Sequence, residues 1–112
     1  MDFERILARV AERGSDAIAR ELLREIENEY GRVPLIFERM AERPEILISH
    51  LLYKGAVVET TRLDPKTIEL ISLAVGAALK CTHCVEYHMQ AAKAKGATRD
   101  EILEAILIAG ML

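Results

Sequence analysis

Apolar residues return at helical intervals along the whole chain, and nowhere do they alternate as a strand requires. Phe3, Ile6, Leu7 and Val10 form a short stripe that stops near Gly14, which predicts a first helix. Ser15 or Asp16 is expected to cap a second, with Ile18, Leu22, Leu23, Ile26 and Tyr30 as its stripe and Gly31 as its stop. The other face of that helix, Arg20, Glu21, Arg24, Glu25 and Glu27, reads as solvated surface. Pro34 suits the first turn of a brief helix through Met40, and Pro44 opens another that runs to about Val58.

The later half is punctuated more sharply. Asp64-Pro65 places a capping carboxylate before a proline, at a position where no N–H donor is needed. The helix that follows carries Ile68, Ile71, Val75 and Leu79, while Gly76, Ala77 and Ala78 leave room for a close neighbour. A break near Lys80 leads to a helix from about Cys81 to Lys95, which Gly96 ends. Thr98-Arg-Asp-Glu101 is a capping box, and Ile102, Leu103, Ile106 and Leu107 are the apolar set of the last helix. The expected architecture is all-α, with about six to seven helices.

Composition sharpens this picture in three ways. With 51% apolar residues but only three Tyr, two Phe and no Trp, the interior is built from Leu, Ile, Val and Ala, which suits helix packing. A length of 112 residues predicts a single domain, residues 1–112, with one core. A net charge of −3 with dispersed basic residues argues against nucleic-acid binding. The opening Met1-Asp2-Phe3-Glu4-Arg5 lacks the basic start and apolar run of a secretory leader. The apolar stretches 46–58 and 68–79 are short for a bilayer, so a cytoplasmic, non-membrane location is expected. The run Ile46–Leu52 and the apolar end Ile108-Ala-Gly-Met-Leu112 are more apolar surface than a small domain hides alone, which predicts a subunit interface.

The chemistry gathers on two cysteines. In a reducing compartment a permanent staple is unfavourable, so a redox, catalytic or metal role is the better reading. Cys81 and Cys84 sit one turn apart on a helix, and His88 lies a further turn along the same face. Cys81 is at the helix start, where unpaired N–H groups favour a thiolate. A thiolate beside a histidine is suited to attack on a peroxide oxygen or an electrophilic sulfur. Structural zinc takes four ligands, commonly from two Cys-x-x-Cys knuckles, and this chain has one, with His83, His88 and distant carboxylates; Cys81, Cys84 and His88 could still supply three. Attachment of a c-type haem needs His after the second Cys, where Val85 stands. No Gly-rich phosphate loop is present, and no cofactor is expected. His50, in an apolar helix, reads as a hydrogen-bonded structural residue, and Met40, Met89 and Met111 as packing.

Three segments together carry a family resemblance: Leu63-Asp-Pro-Lys-Thr-Ile-Glu-Leu-Ile-Ser-Leu-Ala-Val-Gly76, Cys81-Thr-His-Cys-Val-Glu-Tyr-His88, and Ala94-Lys-Gly-Ala-Thr-Arg-Asp-Glu-Ile102. Over roughly Pro44 to Leu112 the chain resembles the carboxymuconolactone decarboxylase / AhpD-like alkylhydroperoxidase family. Members similar to AhpD carry Glu, then Cys-x-His-Cys, then His, and these positions are filled here by Glu69, Cys81, His83, Cys84 and His88. The decarboxylase branch works without the dithiol, so the resemblance points to the peroxidase branch.

The resemblance implies a thiol peroxidase or disulfide reductase acting on a peroxide or disulfide substrate. Cys84 would attack, Cys81 would resolve the product as a disulfide, Glu69 would orient His88, and His88 would take the Cys84 proton with help from His83. Position alone favours Cys81 as nucleophile, because it is nearer the helix start; the family and the Cys84–His88 spacing reverse that order. AhpD proper is longer, with an additional helical half, and stand-alone members form ring-like homo-oligomers, often trimers or hexamers. Its reductant is a lipoylated protein, so a dithiol or lipoylated-protein reductant is implied. A zinc-stabilised helical protein and a non-enzymatic oligomeric scaffold are the alternatives in other functional classes.

Overall fold

The computed structural model describes residues 2–112, which form seven α-helices and no strand. The chain gathers into two compact units that meet in sequence at Thr61–Arg62. Where the length argues for one core, the buried side chains form two separate clusters.

The first unit contains α1 (Phe3–Arg13), α2 (Ser15–Tyr30), α3 (Leu35–Ala41) and α4 (Pro44–Thr60). Ile6, Ile18, Leu22, Ile26, Leu47, Ile48 and Leu51 make its core, the first four on the stripes that helical spacing predicts for α1 and α2. Part of the run Ile46–Leu52 is therefore interior: Leu47, Ile48 and Leu51 are buried, while Ile46 remains half-exposed.

Two expectations change here. Neither Ser15 nor Asp16 caps α2; Gly14 does, at φ 85°, with its own N–H bonded to the Val10 carbonyl. One glycine thus ends α1 and starts α2, a backbone conformation that a β-carbon would strain. Glu21 is not solvated surface either, because it pairs with both Arg9 and Arg13 of α1. Those hydrogen bonds hold its carboxyl below the ordinary value. The ring of His50, a residue of α4 that remains largely exposed, meets Phe37 at a centroid distance of 6.0 Å. Burial against this neighbourhood, with Lys54 adding repulsion, lowers its pKa.

The second unit contains α5 (Pro65–Ala78), α6 (Thr82–Ala94) and α7 (Arg99–Met111). α5 packs against both of the others. Leu73, Ala92 and Ile102, one from each helix, are its buried centre, with Leu70, Val85, Met89 and Ile106 around them. The helix starts read from sequence are all present. The Asp64 carboxylate accepts from the Thr67 N–H at 2.9 Å, and Thr98 and Glu101 complete the capping box. Along α7, Leu107, Ile108 and Met111 are exposed. No helix of the described residues is long and apolar enough to cross a membrane.

Candidate active site

The turn between α5 and α6 positions the dithiol. Lys80 takes a positive φ of 54°, and the Cys81 N–H returns to the Gly76 carbonyl at 2.9 Å. This reversal sets Cys81 at the N-cap of α6, where its Sγ accepts from the Cys84 N–H at 3.2 Å. A sulfur thus takes the place that a serine or aspartate oxygen has at most helix starts. Cys81 and Cys84 are joined as a disulfide, with their Cα atoms 5.2 Å apart.

Gly76 makes the approach of the two helices possible. A β-carbon at this position would lie 2.9 Å from Cys84 Cβ, closer than packed carbons come. The small-residue patch read from sequence therefore has a specific partner, and that partner is the second cysteine.

Glu69 comes from the second turn of α5 and is buried, 8% exposed. Its Oε2 lies 2.8 Å from His88 Nδ1, and its Oε1 accepts from Lys95 Nζ at 2.7 Å. Burial alone would push the Glu69 carboxyl up, but the hydrogen bonds and charges of Lys95 and His88 outweigh it, and its pKa lies below the ordinary 4.5. An ionised carboxylate only accepts, so the neutral His88 ring carries its proton on Nδ1 and leaves Nε2 free to take one. The edge of that ring meets Tyr87 at a centroid distance of 4.9 Å. His88 is one helical turn beyond Cys84 and on the same face of α6.

Of the residues chosen from sequence, Cys81 and Cys84 are brought together, and so are Glu69 and His88. His83 is exposed in the first turn of α6 and makes no hydrogen bond or ion pair among the described residues. Lys95 was not foreseen. Its signal in the sequence is the spacing 84, 88, 95, which keeps one face of the helix. A shallow hollow lined by Asp64, Pro65, Lys66, Lys95 and Gly96 opens beside this lysine and contains neither cysteine. Among the described residues, no three His, Cys, Asp or Glu side chains are grouped to hold a metal ion.

The Glu69 carboxylate makes acid stability a probe of this geometry. Because the folded protein holds its pKa below 4.5, the unfolded chain binds the proton more readily near that pH. The resulting stability is fully present above pH 4.5 and is lost as pH falls through the lowered folded value. The urea midpoint of the native protein should therefore drop more on acidification than that of Glu69→Gln. Equal slopes would mean that the buried carboxylate is not held as described.

Comparison with known proteins places the chain in a family. A 47-residue segment is 43% identical to "Uncharacterized protein 4 in cox locus" from Paracoccus denitrificans, covering 42% of this chain and 42% of that protein. No solved structure matches the chain significantly. The model of the carboxymuconolactone decarboxylase family matches residues 44–112, from the first residue of α4 through the whole second unit. The chain belongs to the carboxymuconolactone decarboxylase family.

Proposed function

We propose that this protein is an AhpD-like thiol oxidoreductase that reduces hydroperoxides with the Cys81/Cys84 dithiol. The observation that carries the reading is a pair of cysteines at disulfide distance on the first turn of α6, beside a Glu69–His88 hydrogen bond from the adjoining helix. In the reduced protein, the start of α6 favours thiolate over thiol. His88, its tautomer set by Glu69, accepts the Cys84 proton at Nε2. The Cys84 sulfur attacks the outer peroxide oxygen, the O–O bond breaks, and the proton passes to the departing alkoxide. The products are an alcohol and a Cys84 sulfenic acid. The Cys81 thiol then displaces water from that sulfenic acid, and the disulfide forms. A dithiol, on the family analogy a lipoylated protein, restores both thiols and is itself oxidised to a disulfide.

His83 has an ancillary place in this scheme, since it stands exposed at the helix start. The exposed apolar side chains Leu107, Ile108 and Met111 on α7 support a homo-oligomer, for which the family analogy suggests a trimer or hexamer. A cytoplasmic location fits a dithiol that must be cycled by a reductant.

The reduced protein, freed of metal, should consume one hydroperoxide for each pair of thiols lost, and should turn over when a dithiol is supplied. Peroxide loss and free thiol are measured on the same sample. If no peroxide is consumed while a disulfide substrate is reduced, the protein is a disulfide reductase and the peroxidase reading fails. If neither reaction occurs, a zinc-stabilised helical protein and an oligomeric scaffold are the surviving readings, and metal content of the purified, reduced protein separates them.

A further inference from the structure

We infer that Lys95 is a positioning residue of the dithiol site: it pins the Glu69 carboxylate against His88 and opposes protonation of that imidazole. The inference deepens the reading above, on which only its activity measurement rests.

The geometry begins with Glu69. Its carboxylate is buried and has one partner on each oxygen, His88 at 2.8 Å and Lys95 at 2.7 Å. A buried carboxylate held from one side only can rotate about its last bond, and it bears the desolvation cost of its open oxygen. Lys95 removes that freedom. It stands at the C-cap of α6, two turns beyond His88 and on the same face. Both partners of Glu69 thus come from one rigid helix, and the acid comes from α5. The carboxylate is clamped at a fixed angle to the imidazole.

Charge gives the clamp a direction. With Lys95 charged and Glu69 ionised, the trio is neutral while His88 is neutral, and it becomes cationic when His88 takes a second proton. Without the lysine, the same step runs from an anionic pair to a neutral one, which is easier. Lys95 therefore opposes a second proton on His88 through its charge. The other charged side chains of these three helices are exposed or already paired. From α5 the facing group is Glu69 itself. On α6, Glu86 and Lys93 are exposed. α7, which packs on α5, offers Glu101, and that carboxylate is taken by Lys66 at 2.9 Å and by the Thr98 N–H.

The test is an NMR titration of His88 in the oxidised protein, where the cysteines do not titrate, for the native chain, Lys95→Met, Lys95→Gln and Lys95→Arg. The side chain is 42% exposed, so none of these changes opens the core. The His88 midpoint should rise by roughly 0.5–1 pH unit in Lys95→Met and Lys95→Gln, and Lys95→Arg should restore it to near the native value. In the reduced protein the acid limb of the hydroperoxide rate should move up by the same interval. A midpoint that stays put or falls in folded Lys95→Met and Lys95→Gln overturns the inference, whatever the activity. The two readings separate cleanly. A shifted midpoint with no peroxide consumption by any form keeps the lysine's role and removes the peroxidase. Peroxide turnover with an unshifted midpoint does the reverse.

Discussion

Cys84→Ser is expected to abolish hydroperoxide turnover, a loss on the order of 10³-fold or more, as when other enzymes lose their nucleophile. A serine hydroxyl at this site cannot be ionised by an imidazole near neutral pH, nor can it be oxidised by a peroxide. Cys81→Ser should behave differently. Cys84 can still be oxidised once, but no thiol lies beside it to displace water, so the chain stops as a sulfenic acid. Rapid-mixing peroxide consumption should then show one event per chain, and a sulfenic-acid trap should label Cys84. The opposite pattern would assign the attack to Cys81, whose place at the N-cap of α6 gives it the stronger helix-dipole stabilisation. What decides for Cys84 is its spacing to His88, one turn along α6, whereas Cys81 lies nearly two turns away.

Gly76→Ala should damage both stability and chemistry, although alanine is the better helix former. In α5 the substitution gains about 1 kcal/mol of helix propensity. Against this, the new β-carbon would meet Cys84 Cβ at 2.9 Å. That atom is anchored to the backbone of α6 and cannot swing aside, so the helices must part. Overpacking of this kind costs about 1–3 kcal/mol and here exceeds the propensity gain at its upper end. Parting α5 from α6 also draws Glu69 away from His88, because the pair bridges the same two helices. Urea unfolding should show a lowered midpoint, and hydroperoxide turnover should fall tenfold or more, a loss of at least about 1.4 kcal/mol in transition-state stabilisation from the misplaced groups. Gly110→Ala is the control: nothing lies within 4 Å of a β-carbon there, so the same change in α7 should be neutral or mildly stabilising. A Gly76→Ala protein as stable and active as the native chain would show that the contact yields without consequence.

Much of the second unit was legible because its signals are local. Asp64-Pro65, Gly96 and the Thr98–Glu101 box act on backbone groups within one turn, and each stands where reading the chain put it. The cysteine pair was legible for the same reason, since one helix carries both sulfurs at a fixed spacing. Glu69 lies in a different class. Nineteen residues separate it from His88, and on periodicity alone it reads as an ordinary acid near a helix start. Only the family resemblance singled it out.

Where expectation and structure parted, the deciding force acted between helices. Glu21 left the solvated face because α1 brings two arginines to it. Gly14 displaced Ser15 and Asp16 as the cap of α2 because one residue had to end a helix and begin the next. Ile46–Leu52 was divided between core and surface according to which side of α4 met α2. Lys95 went unnoticed as a helix-ending lysine until the packing of α5 on α6 brought a buried carboxylate within 2.7 Å. The sequence by itself determined the helical class, the helix limits around the site and the dithiol, because spacing and capping are properties of a single segment. Tertiary structure alone decided how closely Glu69 meets His88 and which lysine holds them, because a hydrogen bond between helices exists only once their packed faces set the distance.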